Sequence, residues 1–127
     1  MAKLEHVAIY AADLEALKRF YVETLGLNVI RAGGGNPPGG YFLGDGHGGA
    51  IELIARPADQ SNANQRWVCH LAFLVDDVFA KKAELEKRGI RFETDTAVDS
   101  ADMQTCFFND PEGNRCQLVR RREPLTG

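Results

Sequence analysis

The feature that most constrains this 127-residue chain is that it repeats itself. Shifted by 64 positions, "HVAIYAADLEALKRF" (6–20) falls on "HLAFLVDDVFAKKAE" (70–84), so that His6 meets His70, Ala8 meets Ala72 and Asp13 meets Asp77. Shifted by 65, "FLGDGHGGAIEL" (42–53) falls on "FFNDPEGNRCQL" (107–118), where Phe42 meets Phe107, Asp45 meets Asp110, Gly48 meets Gly113 and Glu52 meets Gln117. Two blocks in one order at a nearly constant offset mark a duplicated supersecondary unit. A fold for this sequence must therefore be assembled from two equivalent halves.

Each half has the same coarse pattern. "EHVAIY" and "VCHLAFLV" are short runs of β-branched, aromatic and aliphatic residues, which predict strands. Asp13 and Asp77 are placed to accept from the open amides of a first helical turn. The helices that follow are expected to end at Gly26 and Gly89, residues that tolerate the left-handed conformation past a helix. After each glycine comes a predicted strand ("LNVI", "IRFE"), then "YFLGD" or "QTCFFND", a turn at Asp45–Gly49 or Asp110–Asn114, and a last strand "AIELIA" or "RCQLVRR". "GGGNPPGG" (33–40) reads as loop, with positions 38–40 excluded from a strand; a substrate lid is the alternative for this loop. The prediction is β-α-β-β-β twice, an α+β chain forming one domain over 1–127 from module 1 (3–57) and module 2 (67–122).

Side chains alternate along a strand, and the alternation gives each half one apolar face that fits beneath its helix. The other face carries His6 and Glu52 in the first half, and His70 and Gln117 in the second. Such a face is either simply solvated, as half-exposed antiparallel sheets are, or it lines a site. If the two sheets curl toward each other, two imidazoles, a carboxylate and an amide oxygen converge, a donor set for a divalent transition ion. Glu52 interrupts an otherwise apolar strand, and a carboxylate out of water needs a partner; the ion would supply it.

The motifs "HVAIYAADLEALKRFYVETLGL", "IELI", "HLAFLVDDV" and "NDPEGNRCQLV" resemble those of the vicinal oxygen chelate superfamily over roughly residues 3–122. That family includes glyoxalase I, methylmalonyl-CoA epimerase, extradiol dioxygenases, fosfomycin-modifying enzymes and bleomycin-binding proteins. The resemblance implies a glyoxalase-like fold, a curved mixed sheet around a metal cavity, with His6, Glu52, His70 and Gln117 at the ligand positions. It implies a divalent ion (Ni, Co, Zn, Mn or Fe) as cofactor. It further implies a lyase or isomerase that chelates neighbouring oxygens of a small substrate and stabilises an enolate-like intermediate, with Glu52 as ligand and base. The alternatives are a binding protein without turnover, such as an antibiotic-binding one, and an Fe(II)-dependent extradiol dioxygenase. The family often has Glu where Gln117 stands, and an amide cannot take a proton at neutral pH. A homodimer is expected, with the site formed within one chain or across two.

Remaining features bound the partners. A net charge of −3 argues against nucleic acid, which is usually met by a basic face. No apolar run reaches membrane-spanning length and no signal-like segment opens the sequence, so a cytoplasmic, non-membrane protein is expected. Cys69, Cys106 and Cys116 lack CxxC spacing and read as small buried hydrophobes. Arg115, on the Gln117 face, is either a substrate-anion contact or a surface arginine near the turn. His47 reads as an exposed turn residue, "RRRE" (120–123) as a solvated end, and Tyr10, Phe42 and Trp67 as core or cavity wall.

Overall fold

The computed structural model describes residue 1 and residues 4–58 and 69–125. The chain divides into two compact units, Met1–Asn62 and Ala63–Gly127. Trp67 and residues 59–68 of the connection lie outside the described residues.

In the first unit, β1 (Val7–Ala11) leads to Asp13, whose carboxylate accepts from the Ala16 amide at 3.1 Å and so caps α1 (Leu14–Arg19). The helix runs on as a π-helical turn, Phe20–Thr24, and the chain turns out of it at Gly26, whose φ of +80° is left-handed. Then come β2 (Asn28–Ala32), β3 (Gly40–Gly44) and β4 (Ala50–Ala55). The sheet order is β1-β4-β3-β2, with β1 parallel to β4 and the other pairings antiparallel. Leu14, Leu17 and Tyr21 of the helical segment are buried with Tyr41, Leu43, Ile51 and Leu53 of the sheet. This is the apolar face that alternation predicts. Each fully buried leucine there is worth roughly 1.5–3 kcal/mol. A polar clasp joins helix to sheet, since the Tyr41 hydroxyl donates to Glu15 while Lys18 pairs with Glu15 at 3.0 Å and lies 4.9 Å over the Tyr41 ring.

Gly40 belongs to β3, against the expectation that positions 38–40 stay out of a strand. The reason is a close backbone approach: a Cβ built on Gly40 would stand 2.9 Å from the Leu53 carbonyl oxygen. Glycine here lets the strands pair. β2 carries a bulge, since Asn28 and Val29 pair with Gly44 and Leu43, but the next partner, Phe42, faces Arg31 rather than Ile30.

The second unit repeats the plan. β5 (Leu71–Leu74) leads to Asp77, which accepts from the Ala80 amide at 3.0 Å and caps α2 (Val78–Lys87), and Gly89 turns the chain with φ +87°. β6 (Val98–Asp99), β7 (Met103–Asn109) and β8 (Arg115–Arg121) complete a sheet of order β5-β8-β7-β6 with the same parallel and antiparallel pairings. Val78, Leu85, Cys106, Phe108, Cys116 and Leu118 form its buried core. The strand expected at "IRFE" (90–93) is reduced to one bridge, Phe92 with Phe108, and one bond from the Glu93 amide to the Phe107 carbonyl at 2.8 Å. Thr96 donates to the Glu93 carboxylate at 2.7 Å and turns the chain there, so pairing resumes only at Val98. Cys69 also departs from expectation. It is exposed just before β5, whereas Cys106 and Cys116 are buried. Tyr10, on the sheet's edge strand, is likewise more than half exposed.

Two equivalent candidate metal-binding faces

Register aligns the candidate residues in rows. In the first unit Ala8 pairs with Glu52, Glu52 with Phe42, and Phe42 with Arg31, one row across four strands. In the second, Ala72 pairs with Gln117 and Gln117 with Phe107. The histidines precede β1 and β5 and meet the same partner in each unit. His6 packs edge-on against Phe42 at 5.2 Å between ring centroids, and His70 against Phe107 at 5.3 Å. The duplication thus reaches down to individual ring contacts.

His6 and Glu52 are brought together. The His6 Nδ1 lies 2.9 Å from the Glu5 carboxylate, and its Nε2 lies 3.4 Å from Glu52 Oε1. A neutral imidazole that donates from Nδ1 to Glu5 turns a lone pair at Nε2 toward a carboxylate oxygen. Two acceptors at that separation are stable only with a positive charge between them, a proton on Nε2 or a cation. Ligands about 2.0–2.2 Å from an ion, subtending between a right angle and a tetrahedral one, stand about 2.9–3.5 Å apart. The observed spacing fits such an ion. The Glu5 contact is the carboxylate–histidine support common behind metal-ligating imidazoles.

In the second unit Gln117 is buried, and its Nε2 donates to Thr105 Oγ1 at 2.6 Å. Thr105 in turn donates to the Leu118 carbonyl at 2.9 Å, so its oxygen must accept from the amide and the amide cannot be reversed. The carbonyl end of Gln117 is therefore the end a cation would meet. His70 is exposed at the mouth of this face. Arg115 is buried, with its guanidinium forked onto Glu93 at 2.8 and 2.9 Å and stacked 3.8 Å over the Phe107 ring. Among the described residues, no three His, Cys, Asp or Glu side chains form a metal-binding group; the pair of donors brought together is His6 with Glu52.

A cleft of about 220 Å³ opens on the first unit's face, lined by Arg31, Phe42, Glu52 and Ile54 and by glycines of the 33–40 loop. The turns after β3 and β7 are built alike. Asp45 accepts from the His47 and Gly49 amides at 2.7 and 2.9 Å, and Asp110 from those of Glu112 and Asn114 at 2.9 Å each. The bond from the His47 amide, with that from Gly49, holds the Asp45 carboxyl below its usual range. His47 itself stays exposed.

Three residues of these faces escaped the sequence reading. Thr105 and Glu93 carry no motif. Arg31 is hidden because strict alternation assigns it, with Val29, to the helix side; only the bulge brings it beside Phe42.

A duplicated βαβββ chain with a histidine and a Glu or Gln on matching faces defines a glyoxalase-type class of protein. Residues 3–118 match the Glyoxalase/Bleomycin resistance protein/Dioxygenase superfamily, and the chain belongs to it. It is 32% identical to the uncharacterized protein YaeR of Escherichia coli (strain K12) over 128 aligned residues, 95% of this chain and 98% of that one. Among solved structures, a glyoxalase family protein from Enterococcus faecalis is 30% identical, with TM-score 0.72, covering 93% of this chain and 97% of the other. The trypanothione-dependent glyoxalase I of Leishmania major is 25% identical, with TM-score 0.76, covering 94% and 87%. No helix among the described residues is long and apolar enough to cross a membrane.

Proposed function

We propose that this chain is a metal-dependent lyase or isomerase of the glyoxalase type. His6 and Glu52, together with His70 and Gln117 from the other kind of unit, would hold one divalent ion. The observation that carries this reading is the Nε2–Oε1 pair of His6 and Glu52, 3.4 Å apart, with Nδ1 already held by Glu5. When bound, the ion would act as a Lewis acid on neighbouring substrate oxygens. The chain's own residues then divide the work. The imidazoles and the Gln117 carbonyl are neutral donors, so Glu52 is the one anionic ligand of the four, and the role of base falls to it. Thr105 keeps the Gln117 oxygen forward. Phe42 and Phe107 back the two imidazoles and fix their planes. Arg115 and Glu93 neutralise each other beside Phe107, which leaves that face without net charge. A cytoplasmic homodimer acting on a small molecule accompanies this reading.

The test is elemental analysis of protein purified without chelator, alongside His70→Ala and Glu52→Gln. About one equivalent of a divalent metal in the wild type, and its loss in His70→Ala, is the expected result. Glu52→Gln should abolish turnover of a 2-hydroxy or 2-oxo substrate. No metal in the wild type under metal-replete growth would overturn the reading in favour of a binding protein. Fe(II)-dependent oxygen uptake with a catechol would replace it by a dioxygenase.

A further inference from the structure

The bulge in β2 decides what faces the cleft. Had the ladder continued regularly from Asn28–Gly44 and Val29–Leu43, Ile30 would stand opposite Phe42 and Arg31 opposite Tyr41. Tyr41 is on the helix-covered side, where it bonds Glu15. The extra residue instead puts Arg31 opposite Phe42, in the row that contains Glu52, and leaves Ile30 62% exposed. Two other cations packed against the sheets are occupied: Arg115 forks onto Glu93 and Lys18 pairs with Glu15. The Arg31 guanidinium has no carboxylate partner among the described residues.

The space beside Arg31 is kept open by glycine. Gly34 and Gly39 line the cleft, neither has a positive φ, and a Cβ at either would meet nothing within 4 Å. Their backbone conformation and packing do not require glycine; the missing side chains leave room. Phe42 and Ile54 supply an apolar floor. Arg31 and Glu52 are two strand spacings apart, about 9.5 Å between Cα positions. A volume near 220 Å³ equals roughly seven waters at ~30 Å³ each, room for a small acid.

We infer that Arg31 is a substrate-binding residue that takes the carboxylate of a small acid. The acid's hydrocarbon lies over Phe42 and Ile54, and its doubly oxygenated end points to Glu52. A guanidinium with its fork unused matches a carboxylate bidentately. This assignment rests on the proposed role of Glu52 for which end reacts, but the anion contact stands on Arg31 alone.

The test is calorimetric titration of the full chain, zinc-loaded and chelator-treated, as wild type and as Arg31→Gln. The probes are 2-oxoglutarate, 2-oxopentanoate (the same oxygenated end, with methyl replacing the far carboxylate) and glutarate (no oxo group). The zinc-loaded wild type should bind 2-oxoglutarate about tenfold or more tightly than 2-oxopentanoate, the size of one charge-assisted contact. Arg31→Gln should erase that preference with zinc content unchanged. Equal affinity for the two acids in the wild type, or a preference that survives Arg31→Gln, overturns the inference while leaving the metal reading intact. If the wild type retains no zinc, the metal reading fails. Glutarate binding to the chelator-treated wild type that disappears in Arg31→Gln then still supports the anion site, and its absence overturns it.

Discussion

Thr105→Val isolates the device that aims Gln117. Thr105 is 2% exposed, and its hydroxyl both accepts from the Gln117 amide and donates to the Leu118 carbonyl. Valine keeps the shape but leaves the buried Gln117 N–H without its partner, at about 1–3 kcal/mol; the Leu118 carbonyl, in the β7–β8 ladder opposite Cys106, loses only a second donor. The added methyl returns somewhat under ~1 kcal/mol. The net cost should be about 1–2 kcal/mol, which lowers the melting temperature of a chain this size by roughly 3–10 °C. Thr105→Ser, which keeps the hydroxyl, should cost only about 1 kcal/mol through its lost methyl. Zinc affinity, measured by competition with a chromophoric chelator, should fall about tenfold in the valine variant, as for other losses of support behind a ligand. Thermal and urea unfolding of the two variants decide the matter. A valine variant as stable as the wild type would refute the hydrogen-bond argument, because valine and threonine differ only in that hydroxyl.

Three further outcomes follow from other contacts. Glu93→Ala should destabilise the chain by about 3–5 kcal/mol in urea titrations, because it strands the Arg115 charge in a site where both side chains are largely buried; Glu93→Ala/Arg115→Met should recover much of that loss. Burial pushes the Cys106 thiol up to about 11, so the folded state holds this proton more tightly than the unfolded one, and stability should decline as pH rises from about 9 toward 11. Native protein at pH 8 should accordingly label at Cys69 alone with a thiol reagent, and at all three cysteines in denaturant. The Tyr41 hydroxyl and then Lys18 hold the Glu15 carboxyl below its usual range, so its contribution is present above the ordinary glutamate pKa and is lost on acidification through the lowered one. Glu15→Gln should flatten that part of the acid-unfolding profile.

Where sequence was sufficient, duplication made it so. A lone His6 in a strand says little, but His6 with His70, and Phe42 with Phe107, at one offset foretold equivalent faces, and the two imidazole–phenyl contacts differ by only 0.1 Å. The caps at Asp13 and Asp77 and the stops at Gly26 and Gly89 were legible because they depend on local backbone chemistry. What escaped depends on partners distant in sequence. Arg31 faces the cleft only because one residue is left over in β2, and alternation cannot anticipate a bulge. Arg115 could not be assigned to Glu93 from sequence, since 22 residues separate them and "IRFE" read as an ordinary strand. Gly40 read as loop because its need for closeness to Leu53 is a tertiary fact.

Each sheet is closed on its own account: every strand of the first lies between Val7 and Ala55, and every strand of the second between Leu71 and Arg121. Two copies of the chain can therefore trade halves without breaking a rung of either ladder. Such an exchange is governed by the connecting segment and by mass action, not by any cost of re-pairing strands. A population of exchanged pairs would then grow with protein concentration while the circular-dichroism spectrum of the sheets stayed constant.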